Sequence, residues 1–308
     1  MSCWEYPLTA CAYMRFLTVF LLLLPAVALA SEPFARLASA RWEGEEQVVI
    51  AKGDNLSAIA GRRGLTPEAL IRHNGLDPKK KLKIGDTLTV HYSHLIPDGL
   101  PENGITINVP QRLLYWRGQG ELKVYALGLG KPSWPSPLGA WKVANKQENK
   151  TWNVPKSIQA EMAREGKPVK THVPPGPDNP LGKHWLGLSI GGYGIHGTIA
   201  PSSLYRFRSH GCMRMHNDDI ADLYPRVEKG LTGLNSYWPI LLEIRPDGPI
   251  YIEVHPDIYK RKVNGPAELR QLADAQQVSG RIDWTLAEAA LKAAAGEPVE
   301  ITLKPVAP

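Results

Sequence analysis

Cysteine is scarce in this chain, with three among 308 residues. Neither sign of charge dominates, because 36 Lys and Arg and 30 Asp and Glu give a net charge of +6. So few cysteines exclude a disulfide-bonded scaffold. A hydrophobic content of 43% excludes collagen and a disordered tail. The one dense basic run, at 79–83, is too short for a nucleic-acid groove, so we expect no nucleic-acid partner. The length suits one or two packed domains.

An apolar run long enough to span a membrane is also missing. Residues 16–30 are apolar apart from a polar threonine and interrupted by a proline, whereas a spanning helix needs about 20 apolar residues. The run ends in Ala28-Leu29-Ala30, the small-residue pattern at which signal peptides are cleaved. We therefore predict a signal peptide over 1–30, cleaved after Ala30, and export of the mature chain. Translation starts at Met1 or at Met14.

Cleavage after Ala30 removes Cys3 and Cys11 and leaves Cys212 alone in the mature chain. A lone cysteine cannot form an intramolecular disulfide. In an oxidising compartment such a thiol is either buried and inert or used for chemistry. Whether Cys212 is inert or reactive therefore has to be inferred from the residues around it.

Residues 46–91 have the pattern of a small β-α-α-β unit. Asp54 or Asn55 follows a strand-like segment and is placed to cap a short helix. Thr66 followed by Pro67 is a typical start for a second helix. A turn and a final strand complete the unit.

Three segments of this unit, Lys52–Leu56, Asn74–Leu76 and Ile84–Asp86, resemble those of a LysM module. LysM modules bind glycans that contain N-acetylglucosamine, so the resemblance implies the peptidoglycan glycan strand as a partner. Because a fold does not determine a function, a spacer that binds nothing is the alternative.

The region 105–256 consists of short alternating or β-branched runs separated by Gly and Pro, which indicates a β-rich sandwich or barrel. A hairpin is predicted between 240–244 and 250–254. A long Pro-rich excursion over 145–182 contains a predicted helix at 157–164. Long excursions from a sheet often serve as lids, so this one is expected to cover a site.

The region 257–308 is predicted to be a short helical extension. Thr285 and Glu288 fit a capping box, and Gly296 is a typical helix stop. No chemistry is evident in this region, which is interpreted as packing support or as an adaptor.

The residues suited to chemistry fall in two segments, Ile-His-Gly-Thr at 195–198 and Ser-His-Gly-Cys-Met-Arg-Met at 209–215. A thiol needs a base to become a thiolate near neutral pH, and imidazole is the usual one. If 210–214 is extended, then His210, Cys212 and Arg214 point to one face of the strand.

Further features of these segments favour a reactive thiol. The charge of Arg214 and a helix predicted to start at Asn217 both act to lower the pKa of the thiol. Backbone N–H groups around Gly211 and Cys212 are placed to hold an oxyanion. Arg214 is also suited to pairing with a substrate carboxylate.

Each of these residues has a structural alternative. Cys212 is then inert packing and His196 a hydrogen-bonded core histidine. A metal site formed by His210, Cys212 and His216 lacks the spacing of a closed zinc site, so we predict no metal. The helix start at Asn217 is also expected to turn His216 away.

The two segments at 195–198 and 209–214, together with Pro175–Gly182 and Glu253–Pro256, resemble the signature of the YkuD-type L,D-transpeptidases over 105–256. A LysM module ahead of such a domain, behind a signal peptide, is similar to the periplasmic ErfK/YbiS/YcfS/YnhG group of Gram-negative bacteria. The resemblance implies a mainly β fold, with a small βααβ LysM module, a catalytic β-sandwich and a short helical C-terminal extension.

In that family the cysteine attacks the carbonyl of the third stem-peptide residue, usually meso-diaminopimelate, expels the terminal D-alanine and passes the acyl group to an amine. No cofactor is required. The resemblance implies the following roles: Cys212 as nucleophile, His196 as general base, His210 as a supporting residue, Ser209 and Gly211 at the oxyanion pocket, and Arg214 and Gly197 as substrate-binding residues. Arg214 stands where many members have asparagine.

The predicted function is therefore a periplasmic L,D-transpeptidase that uses the tetrapeptide stem as acyl donor. The acceptor is a second stem peptide, giving a 3→3 cross-link, or the C-terminal lysine of an outer-membrane lipoprotein. The alternatives are a cysteine carboxypeptidase or amide hydrolase on the same scaffold and a non-catalytic cell-wall binding protein. The predicted parts are a signal peptide at 1–30, a linker at 31–45, the LysM module at 46–91, a linker at 92–104, the catalytic domain at 105–256 and the extension at 257–308.

Overall fold

The computed structural model describes residues 33–246 and 248–304. The predicted signal peptide, its cleavage site and both candidate start sites lie outside the described residues. Among the helices in the described part of the chain, none has the length and apolarity of a membrane span.

The LysM region forms the predicted β-α-α-β unit. Its two helix caps are confirmed, because Asn55 Oδ1 accepts from the N–H of Ala58 at 3.0 Å and Thr66 Oγ1 accepts from the N–H of Ala69 at 3.1 Å. Buried Leu and Val side chains from the helices and the second strand form its core. The elements are β1 Ala35–Val49, α1 Leu56–Arg62, α2 Pro67–His73 and β2 Thr87–Pro97.

The next part of the chain is mainly β, as predicted, and contains an eight-stranded sheet in the order β13-β11-β10-β7-β14-β3-β4-β5. The predicted helix in the long excursion is present as α3. One face of α4 packs into the large core of this sheet through Ile220 and Leu223. The elements are β3 Gly104–Asn108, β4 Leu113–Gly118, β5 Glu121–Ala126, β6 Leu129–Gly130, β7 Gly139–Glu148, β8 Trp152–Asn153, α3 Lys156–Arg164, β9 His172–Val173, β10 His184–Leu188, β11 Gly194–His196, β12 Phe207–Ser209, β13 Met213–Arg214, α4 Asn217–Leu223 and β14 Thr232–Ser236.

The last elements complete a second sheet of five strands in the order β17-β16-β15-β1-β2. The predicted hairpin is confirmed, because β15 and β16 are antiparallel and pair Ile240 with Val254. Two helices cover this sheet and share one apolar core with it. The elements are β15 Ile240–Ile244, β16 Ile250–Val254, α5 Gly265–Ala275, α6 Trp284–Ala293 and β17 Val299–Glu300.

The structure differs from the two predicted linkers at 31–45 and 92–104. Most of the first belongs to β1 and part of the second to β2, and these strands pair from Val49 and Thr87 to Ala38 and Pro97. Strand β1 also runs parallel to β15, so the end of the predicted catalytic domain lies in the same sheet as the LysM strands. Sequence periodicity missed β1 because much of it is half exposed and lacks a continuous apolar face.

The predicted capping box of the extension is wrong by two residues. Asp283 caps α6, since its Oδ1 accepts from the N–H groups of Thr285 at 3.0 Å and Leu286 at 3.1 Å. The helix ends at Ala293, and Ala294 adopts the left-handed conformation before Gly296 is reached. An aspartate carboxylate accepts two N–H groups at once, which the Thr285 hydroxyl two residues later does not reproduce.

Candidate active site

A cleft of about 830 Å³ lies between α3 and the end of the large sheet that carries β10, β11 and β13. Five of the seven predicted site residues line it: His196, Ser209, His210, Cys212 and Arg214. Gly197 and Gly211 do not line it. The tertiary structure thus brings both sequence segments to one cleft.

His196 ends strand β11 and is buried. Its Nδ1–H donates to the carbonyl oxygen of Gly197 at 2.6 Å. Because a carbonyl oxygen only accepts, this bond holds the proton on Nδ1 and leaves the lone pair on Nε2. Burial, and then the charge of Arg214, lower the pKa of His196 to about 4. The ring is therefore a neutral base at pH 7.

Trp185, which the sequence analysis did not single out, and Asn217, which it considered only as a helix start, hold this histidine and the turn that follows it. The ring of Trp185 stacks on His196 with centroids 5.8 Å apart. Asn217 Oδ1 accepts from the N–H of Thr198 at 3.0 Å, and its Nδ2 donates to the Thr198 carbonyl at 3.1 Å. A Cβ at Gly197 would lie 2.3 Å from Asn217 Oδ1. Gly197 therefore admits Asn217 and orients His196, in place of the predicted substrate contact.

The predicted alternation along 210–214 is wrong. Gly211 has φ +99°, in the left-handed region, so the strand is interrupted before Cys212 and β13 contains only Met213 and Arg214. A Cβ at Gly211 would also lie 2.4 Å from the ring of Tyr193. The cysteine thus sits on a tight turn, and His210 and Arg214 are not on one continuous strand face.

Ser209 holds this turn together. Its hydroxyl donates to the Cys212 carbonyl at 2.5 Å and accepts from the Gly211 N–H at 3.1 Å. The Gly211 N–H is thereby occupied, contrary to its predicted place in an oxyanion pocket. Among the described residues, the N–H of Cys212 has no hydrogen-bond partner, and it remains free to receive an oxyanion.

The thiol of Cys212 has a raised pKa. Burial raises it, and this outweighs the lowering by a backbone hydrogen bond from Gly194 and by the charge of Arg214. Arg214 acts in the predicted direction, and burial, which the sequence analysis did not consider, outweighs it. A neutral thiol and the neutral His196 base therefore share the cleft, and the proton must move as the sulfur attacks.

His210 faces the lid helix. Its Nε2 donates to the carboxylate of Glu161 on α3, which also accepts from Lys131 Nζ at 2.8 Å. Hydrogen bonds from Lys131 and His210 lower the pKa of Glu161. The ring of Trp134 meets His210 edge to face at 4.5 Å. The predicted lid helix was the only sequence signal for Glu161.

The residues of the metal alternative are not brought together. His216 Nδ1 accepts from the N–H of Asp218 at 3.3 Å and so caps α4, the place predicted for Asn217. Within 33–246 and 248–304, no group of three or more His, Cys, Asp or Glu side chains is placed to hold a metal ion.

Comparison with known proteins decides the family. The sequence model of the YkuD L,D-transpeptidase catalytic domain matches residues 102–252, and that of the LysM domain matches 48–91. The probable L,D-transpeptidase YcfS of Escherichia coli K12 is 30% identical over 96% of this chain and 97% of its own length. The chain belongs to the L,D-transpeptidase family.

A second relative agrees with this assignment. The probable L,D-transpeptidase ErfK/SrfK of E. coli K12 is 33% identical over 71% of this chain and 73% of its own. The two relatives and the two sequence models make this L,D-transpeptidase an enzyme of the predicted family, with the predicted LysM domain. Among solved structures, the chain is similar to L,D-transpeptidase 3 of Mycobacterium tuberculosis, with 14% identity and a TM-score of 0.36 over 68% of this chain and 96% of the other.

Proposed function

We propose that this L,D-transpeptidase acts in the periplasm on peptidoglycan stem peptides through an acyl-enzyme on Cys212. The observation that carries the proposal is that a half-buried thiol and the neutral base His196 line one cleft. Within the described residues, Cys212 Sγ lies 3.9 Å from the Gly192 carbonyl oxygen and accepts a backbone hydrogen bond from Gly194, and no charged side chain forms a hydrogen bond with it.

In the first step, Nε2 of His196 takes the thiol proton while Sγ attacks the carbonyl carbon of the third stem residue. The negative charge that develops on the carbonyl oxygen is received by the N–H of Cys212. Collapse breaks the amide C–N bond and leaves a thioester. The proton held by His196 passes to the departing amine, which leaves as D-alanine.

In the second step, an acceptor amine gives its proton to His196 and attacks the thioester. A new amide bond forms as the C–S bond of the thioester breaks, and the proton passes from His196 to the released sulfur of Cys212. Water in place of the amine turns the same intermediate into a hydrolytic product, so acylation is common to the transpeptidase and the hydrolase. The acceptor amine belongs to a second stem peptide or to the C-terminal lysine of an outer-membrane lipoprotein.

The LysM module supports this proposal because it is attached firmly to the catalytic part. Arg62 of α1 pairs with Asp218 of α4 at 3.0 Å, and Arg206 donates to the Ser57 hydroxyl at 2.6 Å. A module that binds the glycan strand then holds the cleft near the stem peptides on that strand. Linking two binding sites in this way raises the local substrate concentration.

Mass spectrometry of the purified chain from residue 31 tests the proposal. The protein is incubated with a disaccharide-tetrapeptide, with and without a peptide ending in lysine. We expect loss of D-alanine, an acyl-enzyme mass on Cys212, and either a muropeptide dimer or a peptide adduct. Formation of tripeptide alone would favour the hydrolase.

The matched control is Cys212→Ser, which keeps the size of the side chain. It should show no acyl-enzyme and no product, while binding to purified peptidoglycan sacculi stays unchanged. Wild-type protein that binds sacculi but gives neither an acyl-enzyme nor a product would leave the non-catalytic wall-binding alternative.

A further inference from the structure

Within the described residues, the guanidinium of Arg214 is a charged group of the cleft whose side chain has no hydrogen-bond or ion-pair partner. It lines the cleft and is largely enclosed, and burial lowers its pKa from the usual value. Across residues 33–246 and 248–304, its side chain makes neither a hydrogen bond nor an ion pair; only the backbone of Arg214 is bonded, to Gly128.

The other charged side chains of the cleft have partners. Glu161 accepts from His210 and Lys131, and Lys167 pairs with Glu165 at 2.6 Å. Lys150 donates to the Gln147 side chain at 2.9 Å. An enclosed charge without a partner is costly to the folded state. Arg214 therefore occupies a position suited to an anion that the substrate brings.

The fork of an arginine side chain matches a carboxylate, with two parallel charged hydrogen bonds. The guanidinium starts from a position next to the base His196. Strands β11 and β13 are parallel, and their register pairs His196 with Arg214. In acylation, His196 delivers its proton to the amine of the leaving D-alanine. The carboxylate of that residue is attached to the same Cα as the amine, so a guanidinium beside the base is suited to receive it.

We propose that Arg214 binds the terminal carboxylate of the leaving D-alanine and thereby selects donors that end at this residue. This inference rests on the acyl-enzyme chemistry proposed above. It makes Arg214 a specificity-determining residue for the donor. Longer stem peptides lack a carboxylate at that place and leave the guanidinium unpaired.

Three donors test the inference: the tetrapeptide with a free terminal carboxylate, the same donor with a terminal carboxamide, and one with only the side-chain carboxylate of diaminopimelate amidated. The rate of acyl-enzyme formation by mass spectrometry gives kcat/KM for each. Since a hydrogen bond to a charged group contributes up to a few kcal/mol, the wild type should prefer the free carboxylate by about 10- to 100-fold. The side-chain amide should cost much less.

Arg214→Gln should lower kcat/KM for the free carboxylate by about the same factor and bring the two donors within about threefold of each other. Arg214→Lys keeps the charge without the fork and should recover only part of the preference. The matched control is Arg208→Gln. Arg208 is exposed, lies in the same segment and does not line the cleft, so its variant should keep the wild-type preference.

The outcomes separate this inference from the proposed function. Wild-type enzyme that acylates with both the acid and the carboxamide at equal rates would overturn the role of Arg214 and leave the acyl-enzyme intact. No acylation with any donor would overturn the proposed function. If Arg214→Gln slows all donors equally and also slows alkylation of Cys212 by iodoacetamide, Arg214 acts on the thiol only and the inference fails.

Discussion

Two buried histidine clusters of this enzyme differ in what balances their charge. The first, termed here the Glu253 network, comprises His94, Gln111, Glu253 and His255, and each member is almost completely buried. The second is the active-site cleft with Cys212, His196 and Arg214. The network contains a carboxylate between its histidines, whereas no carboxylate pairs with His196 or Arg214 in the described part of the cleft.

Both carboxylate oxygens of Glu253 accept hydrogen bonds inside the Glu253 network. His94 Nδ1 at 3.2 Å, His255 Nε2 at 2.7 Å and Gln111 Nε2 at 3.0 Å all donate to Glu253 Oε1, and the N–H of Leu95 donates to the other oxygen. Burial by itself raises the pKa of Glu253, but the hydrogen bonds from the two histidines lower it to about 2. The charge is therefore held inside the fold.

The comparison shows that burial of a histidine does not by itself indicate function. Both clusters bury a histidine, and both join segments that are distant in sequence. In the proposed mechanism the cleft leaves a thiol, an imidazole nitrogen and a guanidinium for the substrate, whereas the network uses the Glu253 carboxylate to join β2 to β16. Breaking each cluster should therefore affect different properties of the enzyme.

The largest effect is expected from His196→Ala. Loss of the general base should lower the rate of acyl-enzyme formation by about 10²- to 10⁴-fold, measured by mass spectrometry with the tetrapeptide donor. The histidine that caps α4 supplies the control, because His216→Ala leaves Cys212 and its base in place. An equal loss in both variants would contradict the role given to His196.

Glu253→Gln should act on stability instead. Removing one partner from a buried ionic network leaves the others uncompensated, so we expect a loss of about 3–5 kcal/mol in the free energy of unfolding. Denaturant unfolding measures it, with the exposed Glu45→Gln as a control that should change it by less than about 0.5 kcal/mol. A stable Glu253→Gln protein would mean that the network contributes little to the fold.

Glu253 and His196 should respond to acid in different pH windows, whereas His255 of the network, whose pKa burial also lowers from 6.5, responds in the window of His196. The pKa of Glu253 is lowered to about 2 from an ordinary value of 4.5, so its stabilisation is present above pH 4.5 and is lost as the pH falls towards 2. His196 is neutral in the fold, with a pKa of about 4 against an ordinary 6.5. Its window lies higher, because stability falls as the pH drops from 6.5 to 4.

The pH dependence of acylation tests the same pKa of His196 in the cleft. Since the base must be unprotonated, acylation should persist on the acidic side down to about pH 4, the pKa of His196. Arg214→Gln removes a charge that lowers this pKa, so it should move the acidic limb of kcat/KM to higher pH. If kcat/KM of the wild type instead falls with an apparent pKa near 6.5, then His196 does not have the pKa that burial and Arg214 lower.

The smallest effect is expected from Glu161→Gln. Helix α3 has no buried residue, and Glu161 ties it to His210 and Lys131 across the cleft. Partly exposed ion pairs contribute little, so KM for the donor should rise by about two- to fivefold with kcat nearly unchanged. The control is Glu165→Gln, because Glu165 directly follows α3 and pairs with Lys167 instead of His210 and Lys131. An unchanged KM would show that the contacts of Glu161 with His210 and Lys131 do not hold α3 at the cleft.

Local features of this enzyme were predictable from its sequence. Asn55 and Thr66 cap their helices because a cap depends on the residue and the two or three N–H groups that follow it. The hairpin of β15 and β16 and the helix α3 follow from short-range periodicity and turns in the same way. The pairing of Cys212 with His196 in one cleft was predicted from the residue types and from the resemblance to the family.

Tertiary structure decided the features that join distant segments. The turn at Gly211 is left-handed because Tyr193 and the surrounding loops leave no room for a side chain, so the alternation expected along 210–214 fails. Glu161 meets His210 only because α3 folds over the cleft. No local pattern shows such contacts.

The sequence by itself determined the helix caps, the mainly β character, and the thiol and imidazole to which the proposed chemistry is assigned, because each depends on residue type and near neighbours. Only the tertiary structure decided which charges are paired. Glu253 meets His94 through two strands from opposite ends of the chain, whereas the pairing of β11 with β13 leaves Arg214 beside His196 without a carboxylate. The electrostatic difference between the two clusters arises from strand pairing, which brings together residues that sequence separates.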